Sequence, residues 1–154
     1  MRGLHVATVL CIVSAGLLAA DSPFAGTWKL DGAKSKFTPG TGFKDATLTF
    51  EAVGDQMKRV MHATTVDGQQ INQEGTIPWD GKDHKIDEPN GASIMVAVKQ
   101  VDARHLDVTV KSDGKVVETI QAVVSADGKT LTSTEKGSDP TGRKIDSVQV
   151  FRKQ

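Results

Sequence analysis

Hydrophobic and polar residues alternate along most of the chain after residue 21. In the segment HLDVTVKS, Leu106, Val108 and Val110 alternate with polar residues. In ATLTFEA, Leu48 and Phe50 alternate with threonine and glutamate. Because successive side chains of a β-strand point to opposite faces, this pattern predicts strands with one buried face. No long segment after residue 21 shows a convincing helical repeat, so we expect an all-β protein.

Tight-turn signals separate the alternating segments. They are Asp31-Gly32, Asp67-Gly68, Asp80-Gly81, Asn90-Gly91, Asp113-Gly114 and Asp127-Gly128, with Gly54-Asp55 as a reversed case. Such pairs favour type I′ hairpin turns, in which both central residues have positive φ. Their regular spacing predicts antiparallel strands that follow one another as hairpins.

The patterns together predict nine or ten strands in one domain. The candidate strands are residues 25–31, 45–53, 56–66, 69–78, 83–87, 92–101, 104–112, 115–125, 129–136 and 143–153. An open sheet of this size would expose two edges, whereas an up-and-down barrel removes them. An antiparallel sandwich is the alternative, but it needs a long Greek-key return. We therefore expect an up-and-down antiparallel β-barrel of about eight to ten strands.

The first twenty residues differ from the rest. Arg2 precedes an apolar run from Gly3 to Ala20 that ends in small residues. This composition is typical of a secretory signal peptide, so we expect cleavage near Ala20 and a barrel domain at 21–154. A retained transmembrane anchor is the alternative, but the run lacks a basic stop-transfer flank.

The single cysteine and the charge balance limit the function classes further. Cys11 lies in the middle of the apolar run, which disfavours a lipid anchor, and cleavage would leave no cysteine for a disulfide. We predict export to the periplasm or the extracellular space, with no integral membrane span after cleavage. Nineteen basic residues balance nineteen acidic ones, so no electrostatic footprint for nucleic acid is expected.

The segment FAGTWKL contains a Gly-x-Trp motif at Gly26 and Trp28. It resembles the first-strand signature of the calycin superfamily, the lipocalins and fatty acid-binding proteins. The succession of C-terminal hairpins that ends in VQVFRK is similar to that of the fatty acid-binding proteins. The chain also resembles small secreted bacterial lipocalin-like proteins. The resemblance implies that Trp28 closes one end of the barrel beneath a C-terminal basic residue, Arg152 or Lys153, through a cation–π contact.

Two features depart from the fatty acid-binding proteins. Thirteen residues, Gly32 to Lys44, replace the helical lid of that family, and their proline and three glycines predict an irregular flap. In the family an arginine and a tyrosine on the last strand hold the ligand carboxylate, and Gln149 and Phe151 stand at the matching positions. An amide and a phenyl ring cannot form that charge-assisted clamp, so we do not expect fatty acids to bind by this mechanism.

The interior of the predicted barrel is the candidate ligand site. Arg59 shares a strand face with Met57 and Met61. Either this face lines the barrel and Arg59 attracts the anionic head of an apolar ligand, or Arg59 faces water and the methionines fill core. The predicted lining consists of Leu48, Phe50, Met57, Arg59, Met61, Val96, Leu106, Val108, Val110 and Phe151. Trp79 either contacts a ligand at the rim or folds back as a plug.

No metal, cofactor or catalytic site is predicted. On a strand His62 points away from the face shared by Met57 and Met61, and His84 and His105 are isolated. The chain after Ala20 contains no recognisable catalytic motif. Carboxylates such as Glu51, Asp107 and Glu118 are expected on the solvent-facing sides of strands.

These observations favour a non-catalytic exported barrel that binds a small apolar or amphipathic molecule in its interior. The alternative is a protein-interaction module, such as an inhibitor of an envelope or extracellular enzyme, which acts through its hairpin loops and has a filled barrel. A lipophilic ligand should quench tryptophan fluorescence in the first case and not in the second.

Overall fold

A computed structural model describes residues 22–54, 56–87, 91–138 and 142–154. The predicted signal peptide, including Cys11, and the first residue of the Asn90-Gly91 turn lie outside the described residues. The strands are β1 (Gly26–Leu30), β2 (Phe43–Val53), β3 (Gln56–Thr65), β4 (Gln70–Ile77), β5 (His84–Asp87), β6 (Ser93–Asp102), β7 (His105–Ser112), β8 (Lys115–Val124), β9 (Thr130–Ser138) and β10 (Lys144–Lys153). Each begins and ends within two residues of its predicted bounds.

The strands form one antiparallel sheet in the order β4-β3-β2-β1-β10-β9-β8-β7-β6-β5. Strands that are consecutive in the chain are paired in space, except β4 and β5, and β1 also pairs with β10. The two edge strands, β4 and β5, approach each other and line a cavity of about 540 Å³ between them. The fold is therefore a nearly closed up-and-down barrel, which confirms the predicted fold class.

The hairpin turns are less uniform than the Asp-Gly pairs predict. Asp113 and Gly114 form a two-residue turn in which φ is 50° and 74°, as a type I′ turn requires. The pairs at Asp67-Gly68 and Asp127-Gly128 lie in longer loops, where only the glycine has positive φ. Longer loops built around an ordinary turn need one left-handed residue rather than two.

One end of the barrel is closed by an aromatic floor, which we define as Phe24, Trp28 and Trp79. The Trp28 ring is fully buried, and its Nε1 donates a hydrogen bond of 2.8 Å to the carbonyl oxygen of Phe24. The Phe24 and Trp79 rings meet edge to face, with centroids 5.5 Å apart. Trp79 thus folds back against Phe24, as the plug interpretation predicts.

The basic residue over Trp28 is Lys153, not Arg152. Lys153 stands opposite Trp28 in the β1–β10 ladder, and its Nζ lies 5.1 Å from the centroid of the tryptophan ring. Arg152 is one position away and therefore points to the outer face. There its Nε donates to Asp31 at 2.7 Å, and this contact lowers the pKa of Asp31. The expectation that Arg152 closes the barrel is corrected accordingly.

The segment between β1 and β2, residues 32–42, forms a flap along β10. The amide and carbonyl groups of Lys36 and Val148 exchange two hydrogen bonds of 2.7 Å. The short β1 pairs with β10 only near Leu30 and Trp28, so the flap satisfies backbone groups of β10 that would otherwise stay unpaired. The flap contains no helix, and the described part of the chain has no helix suited to crossing a membrane.

Candidate functional site

The inner face of the barrel is mostly apolar. Leu48 on β2 stands opposite Met61 on β3, while Val108 on β7 stands opposite Val98 on β6. Five inward side chains at the floor end are at most 2% exposed: Phe24, Trp28, Val124, Leu131 and Phe151. Others on the same face keep some accessible surface, among them Phe50, Val108 and Val110.

All ten residues predicted to line the barrel have the strand parity of the inner face. Leu106 and Phe151 are 3% and 1% exposed and belong to the packed core. Met57 and Met61 are also buried. The role of these residues in binding a ligand stays a prediction.

Arg59 faces the interior, which decides between the two interpretations of its strand. It stands between Phe50 on β2 and Gly75 on β4, and the glycine leaves room beside the guanidinium. Arg59 Nη2 donates a hydrogen bond of 2.9 Å to the Met61 sulfur. Burial lowers the pKa of Arg59, and the negative charge of Glu118 partly opposes this effect. A guanidinium nevertheless stays protonated in proteins, so Arg59 is an internal cation.

Glu118 also faces the interior, contrary to the expectation that it lies on a wet strand face. It is opposite Val110 on β7, but the next β7 residue, Lys111, pairs with Val116. Val117 is therefore the extra residue of a β-bulge, which changes the parity of β8 next to Glu118. On the other side Gly137 of β9 is opposite Glu118 and supplies space.

The pKa of Glu118 is raised to about 8, first by burial and then by a hydrogen bond to the neighbouring Glu135 carboxylate and the charge of Glu135. The positive charge of Arg59 acts in the opposite direction. Glu118 is thus mainly protonated at neutral pH and can donate its proton to Glu135. We call Glu118 and Glu135 the carboxyl pair.

Gln149 completes the polar wall formed by the carboxyl pair. Its Nε2 donates a hydrogen bond of 2.8 Å to Glu135 Oε2. The neighbouring Ser147 is 2% exposed, and its Oγ accepts a 3.1 Å hydrogen bond from the amide of Thr38 in the flap. Gln149 matches the ligand-binding arginine of the fatty acid-binding proteins in position. Here it donates a hydrogen bond to the Glu135 carboxylate.

A small cavity of about 70 Å³ lies between the flap and this polar wall. Phe37 and Phe43 line it on one side, and Glu135 and Gln149 on the other. The two phenyl rings meet edge to face, with centroids 6.1 Å apart. Gly42 has a φ of 93°, and a Cβ atom there would overlap the Phe37 ring. The flap therefore places Phe37, packed against Phe43 of β2, beside Glu135 of the carboxyl pair.

Sequence reasoning missed the carboxyl pair. Glu135 shares its strand parity with Leu131 and Ser133, and this parity was a usable signal for an inward carboxylate. Glu118 was harder to identify because β8 has apolar residues on both faces and the Val117 bulge interrupts the alternation.

The histidines in the described ranges lie apart from this wall. His62 is exposed, and its Nδ1 is 2.7 Å from Asn72 Oδ1, while His84 Nε2 is 2.9 Å from Asp80 Oδ1. Among the residues that the structure describes, no group of three or more His, Cys, Asp or Glu side chains is arranged to hold a metal ion.

Comparison with known proteins establishes the fold. No protein-family model matches the sequence, and no curated protein matches it. A fatty acid-binding protein of Schistosoma mansoni in complex with arachidonic acid matches with a TM-score of 0.63 and 17% identity, over 88% of this chain and 98% of that chain. As-p18, an extracellular fatty acid-binding protein, matches with a TM-score of 0.55 and 15% identity, over 88% and 99%.

A zebrafish ileal bile acid-binding protein complexed with cholic acid matches with a TM-score of 0.52 and 12% identity, over 86% of this chain and 100% of that chain. At these identities the likeness concerns the fold. The chain therefore has the calycin-type fold, a lipocalin-like β-barrel similar to that of the fatty acid-binding proteins, as the Gly-x-Trp segment predicted.

Proposed function

We propose that the protein is an exported, non-catalytic barrel that binds a small apolar or amphipathic molecule in its interior. The observation that carries this proposal is the inner wall, where apolar side chains surround Arg59 and the carboxyl pair. Buried charges usually cost stability, and perturbed ionisable groups in a cavity often mark functional sites. A ligand with an apolar body and a polar head would use both parts of this wall.

The structural neighbours support this class of ligand. One is bound to arachidonic acid and another to cholic acid, and both molecules combine an apolar body with a polar head. The cavity between β4 and β5, lined by Ile77 and Ile86 among others, offers a route to the interior. Export rests on the signal-peptide pattern of residues 1–20, and one neighbour is described as extracellular.

The direct test is to purify the native protein, extract it with organic solvent and identify the released small molecules by mass spectrometry. We expect one class of lipophilic molecule in a fixed ratio to protein. Val110→Phe should fill part of the interior and lower this ratio severalfold. Val123→Phe is the matched control, because Val123 is 43% exposed on the outer face of β8.

A stable protein partner together with an empty extract would contradict the proposal and support the interaction module. Equal ligand recovery from the two valine variants would place the ligand outside the barrel. Quenching of tryptophan fluorescence by the extracted molecule, added back to stripped protein, provides an independent measurement.

A further inference from the structure

The charged groups of the interior lie on opposite walls. Arg59 is on β3 and Glu118 is on β8, and in the strand order of the nearly closed barrel five steps separate these strands in either direction. The positive charge of Arg59 acts to lower the pKa of Glu118, yet the two groups form no ion pair within 4.0 Å. The interior thus has a positive wall at Arg59 and a negative wall at the carboxyl pair that are not ion-paired with each other, and the small cavity lies beside Glu135.

The positive wall lacks a good partner. In the described part of the chain, the hydrogen bond of Arg59 goes to the Met61 sulfur, and a thioether is a weak acceptor. A guanidinium has five donors in a planar fork that matches carboxylate or phosphate oxygens. Arg59 can therefore donate hydrogen bonds to the anionic group of a molecule in the interior.

The carboxyl pair on the negative wall likewise lacks an oppositely charged partner within the described ranges. Glu135 receives hydrogen bonds from Gln149 and Glu118, but within the described ranges no lysine or arginine forms an ion pair with either carboxyl of the pair. Phe37 of the flap and Phe43 at the start of β2 border the small cavity beside Glu135. A carboxylate next to aromatic rings is the environment in which proteins bind ammonium groups, through charge pairing and cation–π contacts.

We propose that the interior selects an amphiphile with a zwitterionic head, whose anionic group binds Arg59 and whose ammonium group binds Glu135 beside the Phe37 and Phe43 rings. The apolar part lies along Phe50, Val108 and Val110. This inference rests on the proposed function and specifies its substrate class.

Charge balance favours such a head group. With one proton shared by the carboxyl pair, Arg59 and the pair together are neutral, because the pKa of Glu118 is raised to about 8. A zwitterion keeps this balance. An anionic ligand would leave an extra negative charge beside Glu135, and a cationic ligand would leave an extra positive charge unless the pair released its proton. Uncompensated charges in a low-dielectric interior are costly.

The test uses four molecules with the same dodecyl chain: dodecylphosphocholine, dodecyl phosphate, dodecyltrimethylammonium and dodecanol. Each is titrated into delipidated protein at pH 7, below its micelle concentration, by isothermal calorimetry. We expect dodecylphosphocholine to bind at least about tenfold more tightly than each of the other three, the gain typical of one added charge-assisted contact.

Variants assign each half of the head group. Arg59→Met should abolish the preference for dodecylphosphocholine over dodecyltrimethylammonium, and Glu135→Gln should abolish the preference over dodecyl phosphate. Neither should change dodecanol binding. Lys58→Met and Glu51→Gln are the matched controls, because Lys58 on β3 and Glu51 on β2 stand opposite each other on the outer face of the barrel. Circular dichroism and thermal melting check that the variants fold.

The outcomes separate this inference from the proposed function. If dodecanol binds but dodecylphosphocholine binds no more tightly, the zwitterion inference is wrong and interior binding stands. If dodecyl phosphate or dodecyltrimethylammonium equals dodecylphosphocholine, the inference is also wrong, and a singly charged head is indicated. If none of the four binds, the proposed function itself is refuted. The ligand series on the unmodified protein decides these cases even if a variant fails to fold.

Discussion

Glu118 should make the folded protein less stable as the pH rises. The pKa of its carboxyl is raised to about 8 by burial and by Glu135, from an ordinary value of 4.5. Below pH 4.5 the group is neutral in both the folded and the unfolded chain. Between pH 4.5 and 8 the unfolded chain loses its proton first, so the contribution of the neutral group to stability is lost as the pH approaches 8.

The change from 4.5 to about 8 corresponds to ~5 kcal/mol of unfolding free energy for a fully buried, isolated group. Glu118 is only partly buried, and solvent screening weakens the effect, so we expect about 2 kcal/mol. Glu118→Gln keeps the shape and a hydrogen-bond donor toward Glu135 but cannot ionise. The variant should match the unmodified protein near pH 4.5 and be about 2 kcal/mol more stable at pH 9.

Urea denaturation at pH 4.5, 7 and 9, followed by tryptophan fluorescence, measures these free energies. The fully buried Trp28 reports loss of the barrel. Glu51→Gln is the control, since Glu51 is an exposed glutamate on β2, and it should lower stability or leave it unchanged at every pH. Parallel stability curves for Glu118→Gln and the unmodified protein would refute the reasoning and mean that Glu118 faces solvent.

Three further predictions concern the barrel itself. Leu106→Ala should cost about 2–5 kcal/mol of unfolding free energy by leaving a core cavity, whereas exposed Val101→Ala should cost less than about 0.5; a similar loss in both would contradict the strand parity. Gly137→Ala should cost at least about 1–3 kcal/mol, because its Cβ would overlap a backbone carbonyl at the bulge. Gly75→Ala, with no atom near the new Cβ, should be close to neutral by the same urea assay. Lys153→Met should cost less than about 1 kcal/mol and shift the fluorescence emission of Trp28. Unchanged emission would argue against the cation–π contact.

The fold was largely predictable from local patterns. Alternation in the segments around Leu48 and Leu106 depends on a strand geometry of period two, so it identified both the strands and their inward residues. The Asp-Gly pairs marked the hairpins because a tight turn is a local property of the backbone. The Gly-x-Trp segment indicated the floor through its resemblance to the first strand of the calycins, and Trp28 is fully buried there.

The errors arose where local periodicity breaks or where two candidates are adjacent. The Val117 bulge interrupts the alternation just before Glu118, whose direction was predicted wrongly. The choice between Arg152 and Lys153 depended on which one stands opposite Trp28 in the ladder, and that register is set by pairing between the two ends of the chain.

The sequence by itself therefore determined the strands, their hairpin order and most of the inward-facing residues, because these follow from backbone period and turn chemistry. Only the tertiary structure decided that Arg59 faces the carboxyl pair and that the flap carries Phe37 to Glu135. These groups are remote in sequence and come together through barrel closure. Their burial and pKa depend on neighbours in space, which no local pattern records.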